Sequence, residues 1–296
     1  MLFNVLFLAS TATATCTHGL SMFKRATTEV NSFGFGPMNG PFNWAALAPE
    51  NEACRTGRNQ SPINIDGTIR PATAKPVLNI PAGPVEFENL GTTIEVIVNG
   101  TTDIGGTAFR LVQFHMHTPS EHHINSEYYP LEIHMVHQGV ADNTQLAVVA
   151  LMFEVSARRS SSIIRSLSAA VPKIATPGTT TPIAKGIDFS DVISTIRASN
   201  VLSYSGSLTT PPCAEGVTFL IVEKPLDISV ADFNSIKRVV KFNSRFVQNT
   251  LGQDNILEVG ARSGSAAPRA NRSLPPSSPS VDTGARRNVQ KRTPKY

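Results

Sequence analysis

The stretch Gln113-Phe114-His115-Met116-His117, followed by Glu132-Ile133-His134-Met135-Val136-His137, decides how this chain is read. Side chains two apart on a β-strand share a face. His115 and His117 therefore point to one side with Gln113 beside them, and a second strand-like run from Leu131 to Val136 puts His134 on a face with Glu132. Three imidazoles converging from neighbouring strands leave the fourth tetrahedral position of a Zn²⁺ ion open to water, as in a catalytic rather than a structural zinc site. Each ligand strand carries a polar residue two positions before its first His. Gln113 and Glu132 are thus placed to hold ring N–H groups and fix tautomers. Six of the seven histidines lie between positions 115 and 137, a clustering that ordinary core histidines do not produce.

Outward from this stretch the sequence predicts further strands over Val77–Ile80, Val85–Glu88, Thr92–Val98, Ala108–His117, Leu131–His137 and Leu146–Phe153, with Asn99-Gly100 as a hairpin turn. Short strands and tight turns, in a chain with 21 Pro and 20 Gly, argue for a mainly β (α+β) domain built on a large, mostly antiparallel sheet. Helices are fewer. Ser229 can cap one whose Val230, Phe233, Ile236, Val239 and Val240 form an apolar stripe, and Ser160–Ala169, Phe189–Ala198 and a short turn near Trp44 are weaker candidates. The candidate chemistry spreads from His115 to Thr210, so the 296 residues are read as one globular domain over 26–261.

The net charge of +4 comes from the end of the chain: residues 262–296 hold eight Lys/Arg against one Asp, leaving 18 basic and 21 acidic residues before them. The body is mildly acidic, which argues against a nucleic-acid partner. The Ser/Pro-rich tail (262–296) reads as disordered, with cell-wall association as its functional reading. Leu2–Ala9 with Ala12-Thr13-Ala14 reads as a signal peptide over 1–14, too short to span a membrane, and 15–25 as a propeptide ending at the dibasic Lys24-Arg25. Cleavage there would remove Cys16 and leave Cys54 and Cys213, two thiols that pair in an oxidising compartment. Sequons at Asn99 and Asn271 agree with secretion.

Five motifs then stand in order: Gln60-Ser61-Pro62-Ile63-Asn64-Ile65, Gln113-Phe114-His115-Met116-His117, Ser120-Glu121-His122, Glu132-Ile133-His134-Met135-Val136-His137 and Ser207-Leu208-Thr209-Thr210-Pro211-Pro212. In order and spacing they resemble the α-class carbonic anhydrases, over roughly residues 33–258, and the segment Phe33-Gly34-Phe35-Gly36 to Trp44 is similar to that family's N-terminal stretch. The Cys54/Cys213 pair resembles the disulfide of the secreted bacterial and fungal members. The resemblance implies a twisted sheet with short peripheral helices, and reversible hydration of CO₂ to bicarbonate and a proton, with weak esterase activity alongside. It implies Zn²⁺ on His115, His117 and His134, and a zinc-bound hydroxide oriented by Thr209, which donates its own proton to Glu121. Thr210 would seat bicarbonate, and Val136, Val148, Leu208, Val217 and Phe219 would line the CO₂ pocket.

Two positions depart from the family pattern. Thr92 stands where the family's proton-shuttle His is usual, and Thr does not titrate near neutral pH. Phe35 stands where a Tyr commonly orders water. Proton release is therefore expected to lean on external buffer, with His122, His123 and His137 as surface candidates to compensate, although the resemblance gives His122 and His137 structural parts. A catalytically silent binding or adhesion protein on the same fold is the competing class, and such relatives typically lose a zinc ligand. A zinc hydrolase of another family would offer H-E-x-x-H, which is absent. A homodimer remains open.

Overall fold

The computed structural model describes residues 28–265. The expected signal peptide, propeptide and Cys16, the Asn271 sequon and all but the first residues of the basic tail lie outside them. At the centre, β6 (Thr107–His117) pairs antiparallel with β8 (Leu131–Gly139), and the register sets His115 directly opposite His134. Around them a ten-stranded sheet runs in the order β10-β4-β5-β6-β8-β9-β12-β11-β2, with β3 pairing to β5. The ranges are β2 (Arg70–Pro71), β3 (Val77–Asn79), β4 (Val85–Asn89), β5 (Ile94–Ile104), β9 (Leu146–Ser156), β10 (Thr180–Ile183), β11 (Val201–Ser207) and β12 (Glu215–Ser229). A separate parallel pair joins β1 (Asn64–Ile65) to β7 (His123–Ile124).

Alternation sorts the two faces. Phe114, Met116, Ile133, Met135, Val149 and Leu151 enter the larger core, closed by α3 (Ser162–Leu167), α4 (Ser190–Ala198) and α5 (Val230–Val240). Each such fully buried side chain contributes about 1.5–3 kcal/mol. Beyond a bulge at Leu111/Gln113, the residues Gln113, His115 and His117 of β6 alternate away from that core, toward the side of Val136, Val148 and Phe219. Short α1 (Trp44–Leu47) and α2 (Ala53–Thr56) pack the N-terminal segment, with Trp44 fully buried and its Nε1–H donating to the carbonyls of Gly34 and Asn39.

Several expectations are corrected. Asn99-Gly100 is not a turn: β5 runs through it over a bulge, and the hairpin closes at Gly105-Gly106, both at positive φ, where glycine carries no Cβ penalty. β10, β11 and the long β12 were not foreseen, and β12 pairs parallel with β9, so the sheet is mixed. In the middle of β12, Phe219–Val222 are buried in succession, so the polar alternation that marks a half-exposed strand is lost there. Ser229 does cap α5, accepting from the Asp232 backbone N–H at 3.2 Å, but Val230 of the expected stripe is exposed. A final α6 (Ile256–Ser265) runs past residue 261, where the sequence reading ended the domain, and Arg262 pairs with Asp254 at 2.6 Å.

His137 points to the large core, with Nε2 2.9 Å from Thr102 Oγ1, and burial pushes its pKa down to about 4. An unfolded ring takes its proton near ~6.5, so between those values the unfolded state binds more protons and stability falls as pH falls. This one ring accounts for up to about 3 kcal/mol of acid destabilisation. Urea unfolding of wild type and His137→Gln at pH 7 and pH 4.5 is expected to show a clearly smaller loss in the variant; equal losses contradict it.

Candidate metal centre

His115 and His117 come from β6 and His134 from β8, all buried, and their ligand atoms lie within 4.8 Å of one another. Each ring is held from behind. His115 Nδ1 faces Gln113 Oε1 at 2.9 Å, His117 Nδ1 faces the Asn243 carbonyl at 3.0 Å, and His134 Nε2 faces Glu132 Oε1 at 2.7 Å. A carbonyl or carboxylate oxygen only accepts, so each of these ring nitrogens carries the proton. A neutral ring then presents its opposite nitrogen as a lone pair: Nε2 of His115 and His117, Nδ1 of His134. His117 Nε2 is buried without a hydrogen-bond partner, a desolvation cost of about 1–3 kcal/mol that a cation would relieve. Three neutral imidazoles of this kind suit a divalent ion of zinc's character.

A second grouping, His122, Glu132 and His134, is equally close. It serves a different purpose: His122 Nδ1 and His134 Nε2 both stand 2.7 Å from Glu132 Oε1, so protons already fill those contacts. Burial works against charge on Glu132, but His122 and His134 outweigh it and hold the carboxyl well below its usual range. Burial lowers His117, keeping that ring neutral, while on His134 the Glu132 carboxylate overcomes burial and the pKa rises.

Glu121 is buried beside the cluster, with Oε1 accepting from the Arg245 backbone N–H at 2.9 Å. Its Oε2 has no hydrogen-bond partner, and no bond joins it to Thr209, which is buried with Thr210 in the loop after β11. That loop is anchored by the Cys54–Cys213 disulfide and by the Cys213 N–H to Thr210 carbonyl bond at 2.9 Å. Val136, Val148, Val217 and Phe219 are buried in one apolar cluster, and half-buried Leu208 packs against it. Phe35 packs edge-on against Trp44. Thr92 is buried where the chain enters β5, its Oγ1 accepting from Asn31 at 2.6 Å. The alternative relay residues are corrected: His122 and His137 are fully buried rather than on the surface, His137 on the opposite face, which leaves half-buried His123.

Sequence reasoning missed Asn243. Its carbonyl holds His117, its Oδ1 accepts from Thr118 N–H, and its side-chain amide donates to the carbonyls of Thr92 and Met116. It missed Arg245 too, whose buried guanidinium donates to the Ser61 and Cys54 carbonyls and is pushed by burial to about 10. Both sit in an aperiodic stretch more than 100 residues from their partners, where only a Asn-x-Arg between apolar residues hints at burial.

Residues 39–256 match the family model of the eukaryotic-type carbonic anhydrases. The chain belongs to the α-carbonic anhydrase family. It is 36% identical over 218 residues to the carbonic anhydrase of Klebsiella pneumoniae, covering 72% of this chain and 85% of that one. The solved fungal α-carbonic anhydrase of Aspergillus oryzae superposes with a TM-score of 0.74 at 39% identity, covering 78% of this chain and 99% of that one. The α-carbonic anhydrase of Thermovibrio ammonificans, solved with the inhibitor sulfanilamide, gives 0.68 at 30% identity over 75% and 97%. These three relatives are carbonic anhydrases, so CO₂ hydration is the activity that this α-carbonic anhydrase's family and fold support.

If the three rings form the metal centre, metal analysis of purified His134→Ala is expected to fall from about one ion per chain to near none. Full retention contradicts it.

Proposed function

We propose that this α-carbonic anhydrase is a secreted zinc enzyme that interconverts CO₂ and bicarbonate, with Zn²⁺ held by His115, His117 and His134. The observation that carries the proposal is the set of three buried imidazoles, each with one nitrogen held from behind by an oxygen acceptor. A zinc ion bound there supplies Lewis acidity that acidifies water and readies it for attack on carbon. The remaining work falls to side chains. As a carboxylate Glu121 can only accept, so its open Oε2 is the acceptor we assign to the Thr209 O–H, a contact not made in this structure, and the Thr209 oxygen would then accept from the attacking water. That fixed direction aims a lone pair at CO₂, which has little to hydrogen-bond and lodges against Val136, Val148, Leu208, Val217 and Phe219. Thr210 seats the bicarbonate product. Oxygen adds to the CO₂ carbon, bicarbonate leaves, and the proton passes to buffer, since Thr92 cannot relay it.

Secretion is supported by the signal-like N-terminus and by the Cys54–Cys213 disulfide, which belongs in an oxidising compartment. Among the described residues no helix is long and apolar enough to cross a membrane. We also assign residues from about 28 to 265 to one catalytic domain.

Stopped-flow CO₂ hydration by the zinc-loaded protein tests the reading. A fast rate inhibited by an aromatic sulfonamide is expected, with Thr209→Ala slowing turnover about 100-fold. No rate above background with zinc bound would place the chain among silent binding proteins. Thr92→His is expected to raise the maximal rate at low buffer and leave it unchanged at high buffer; no change at either would refute the shuttle assignment.

A further inference from the structure

Behind His134 the hydrogen bonding does not stop at Glu132. The same Oε1 that holds His134 Nε2 is 2.7 Å from His122 Nδ1, and Oε2 accepts the backbone N–H groups of Glu121 and His122 at 2.8 and 2.9 Å. His122 Nε2 is 2.6 Å from the Tyr204 hydroxyl, which is 2.8 Å from Ser61 Oγ, which accepts from the Ser207 backbone N–H at 3.0 Å. Ser61 and His122 are fully buried and Tyr204 nearly so.

One end of this chain fixes every proton in it. The Glu132 carboxylate can only accept, so His122 donates from Nδ1 and, in the neutral ring, must accept at Nε2. Tyr204 O–H therefore donates to His122, and its oxygen is left to accept from Ser61 O–H. All protons run toward Glu132, and the second donor on Oε1 is His134 Nε2–H, which leaves His134 Nδ1 as a lone pair. There is no room for the chain to slacken: a Cβ on Gly206 would lie 2.1 Å from Ser61 Oγ and 2.6 Å from Tyr204 Cε2.

We propose that Tyr204, acting through His122, is a positioning residue for the metal, holding Glu132 so that His134 keeps one tautomer and one orientation. The inference rests on the zinc site proposed above. Without the Tyr204 hydroxyl, His122 keeps a buried acceptor with no donor. The ring can recover a bond only by turning or changing tautomer, and either loosens the carboxylate that His134 depends on. Gln113 and Asn243 hold the other two rings independently, so binding weakens without being lost.

The experiment is zinc release into excess chelator from wild type, Tyr204→Phe and, as a surface control, Tyr128→Phe. Wild type holding about one zinc establishes the site itself; wild type holding none overturns both readings. Tyr204→Phe is expected to release zinc about three- to tenfold faster, below the 10–100-fold typical of groups that touch a ligand directly, with the control unchanged. Its melting temperature should fall further in the zinc form than in the apo form. Equal zinc release, or equal losses in both forms, would reduce Tyr204 to a packing role and overturn the inference. Should Tyr204→Phe not fold, ¹⁵N chemical shifts of the histidine rings in wild type decide. A neutral His122 protonated at Nδ1 supports the chain, and one protonated at Nε2 contradicts it.

Discussion

Glu132 is a carboxylate with no exposure to water, placed in the middle of a sheet and surrounded by four N–H donors at 2.7–2.9 Å. A buried charge with any of these missing would cost several kcal/mol. Two of the four donors are backbone groups of the loop that carries Glu121, and two are imidazoles. The carboxylate therefore ties that loop to the strands that carry the histidine cluster and, because it can only accept, dictates which nitrogen of His134 faces outward. The position of Glu121, the support from His122 and the lone pair of His134 all follow from it.

The sheet supplies the ruler. Reading across the strands, Glu95, His115, His134 and Ala150 stand in one row, and Gln113, Val136, Val148, Phe219 and Tyr204 in another. The first row gives two of the three clustered imidazoles. The second begins at the residue that orients His115, crosses the apolar wall, and ends at the phenol that supports His122. A slip of one residue between β6 and β8 would send His134 into the large core and Met135 toward His115 and His117. The loops only finish what the strands begin: Asn243 completes His117, and the disulfide anchors the loop of Thr209 and Thr210.

This geometry explains which parts could be read from the sequence. The period-2 spacing of His115 and His117, and of Glu132 and His134, states a shared face directly, and Ser229 before an apolar stripe states a helix start. β12 gave no such signal because its middle, Phe219–Val222, is covered on both faces, and Asn99-Gly100 looked like a turn because local preference does not report the bulge that lets β5 continue. Asn243, Arg245 and Tyr204 were invisible as site residues for another reason. Their contribution lies in contacts across 82 to 191 positions, which no local pattern encodes.

The most direct test is a crystal structure of the zinc-loaded protein with anomalous data at the zinc edge. One zinc peak is expected, ligated by Nε2 of His115, Nε2 of His117 and Nδ1 of His134, with Glu132 on the far side of His134 and not bound to metal. A peak bound by Glu132 or His122, or ligation through the nitrogens now facing Gln113, Asn243 and Glu132, would contradict it.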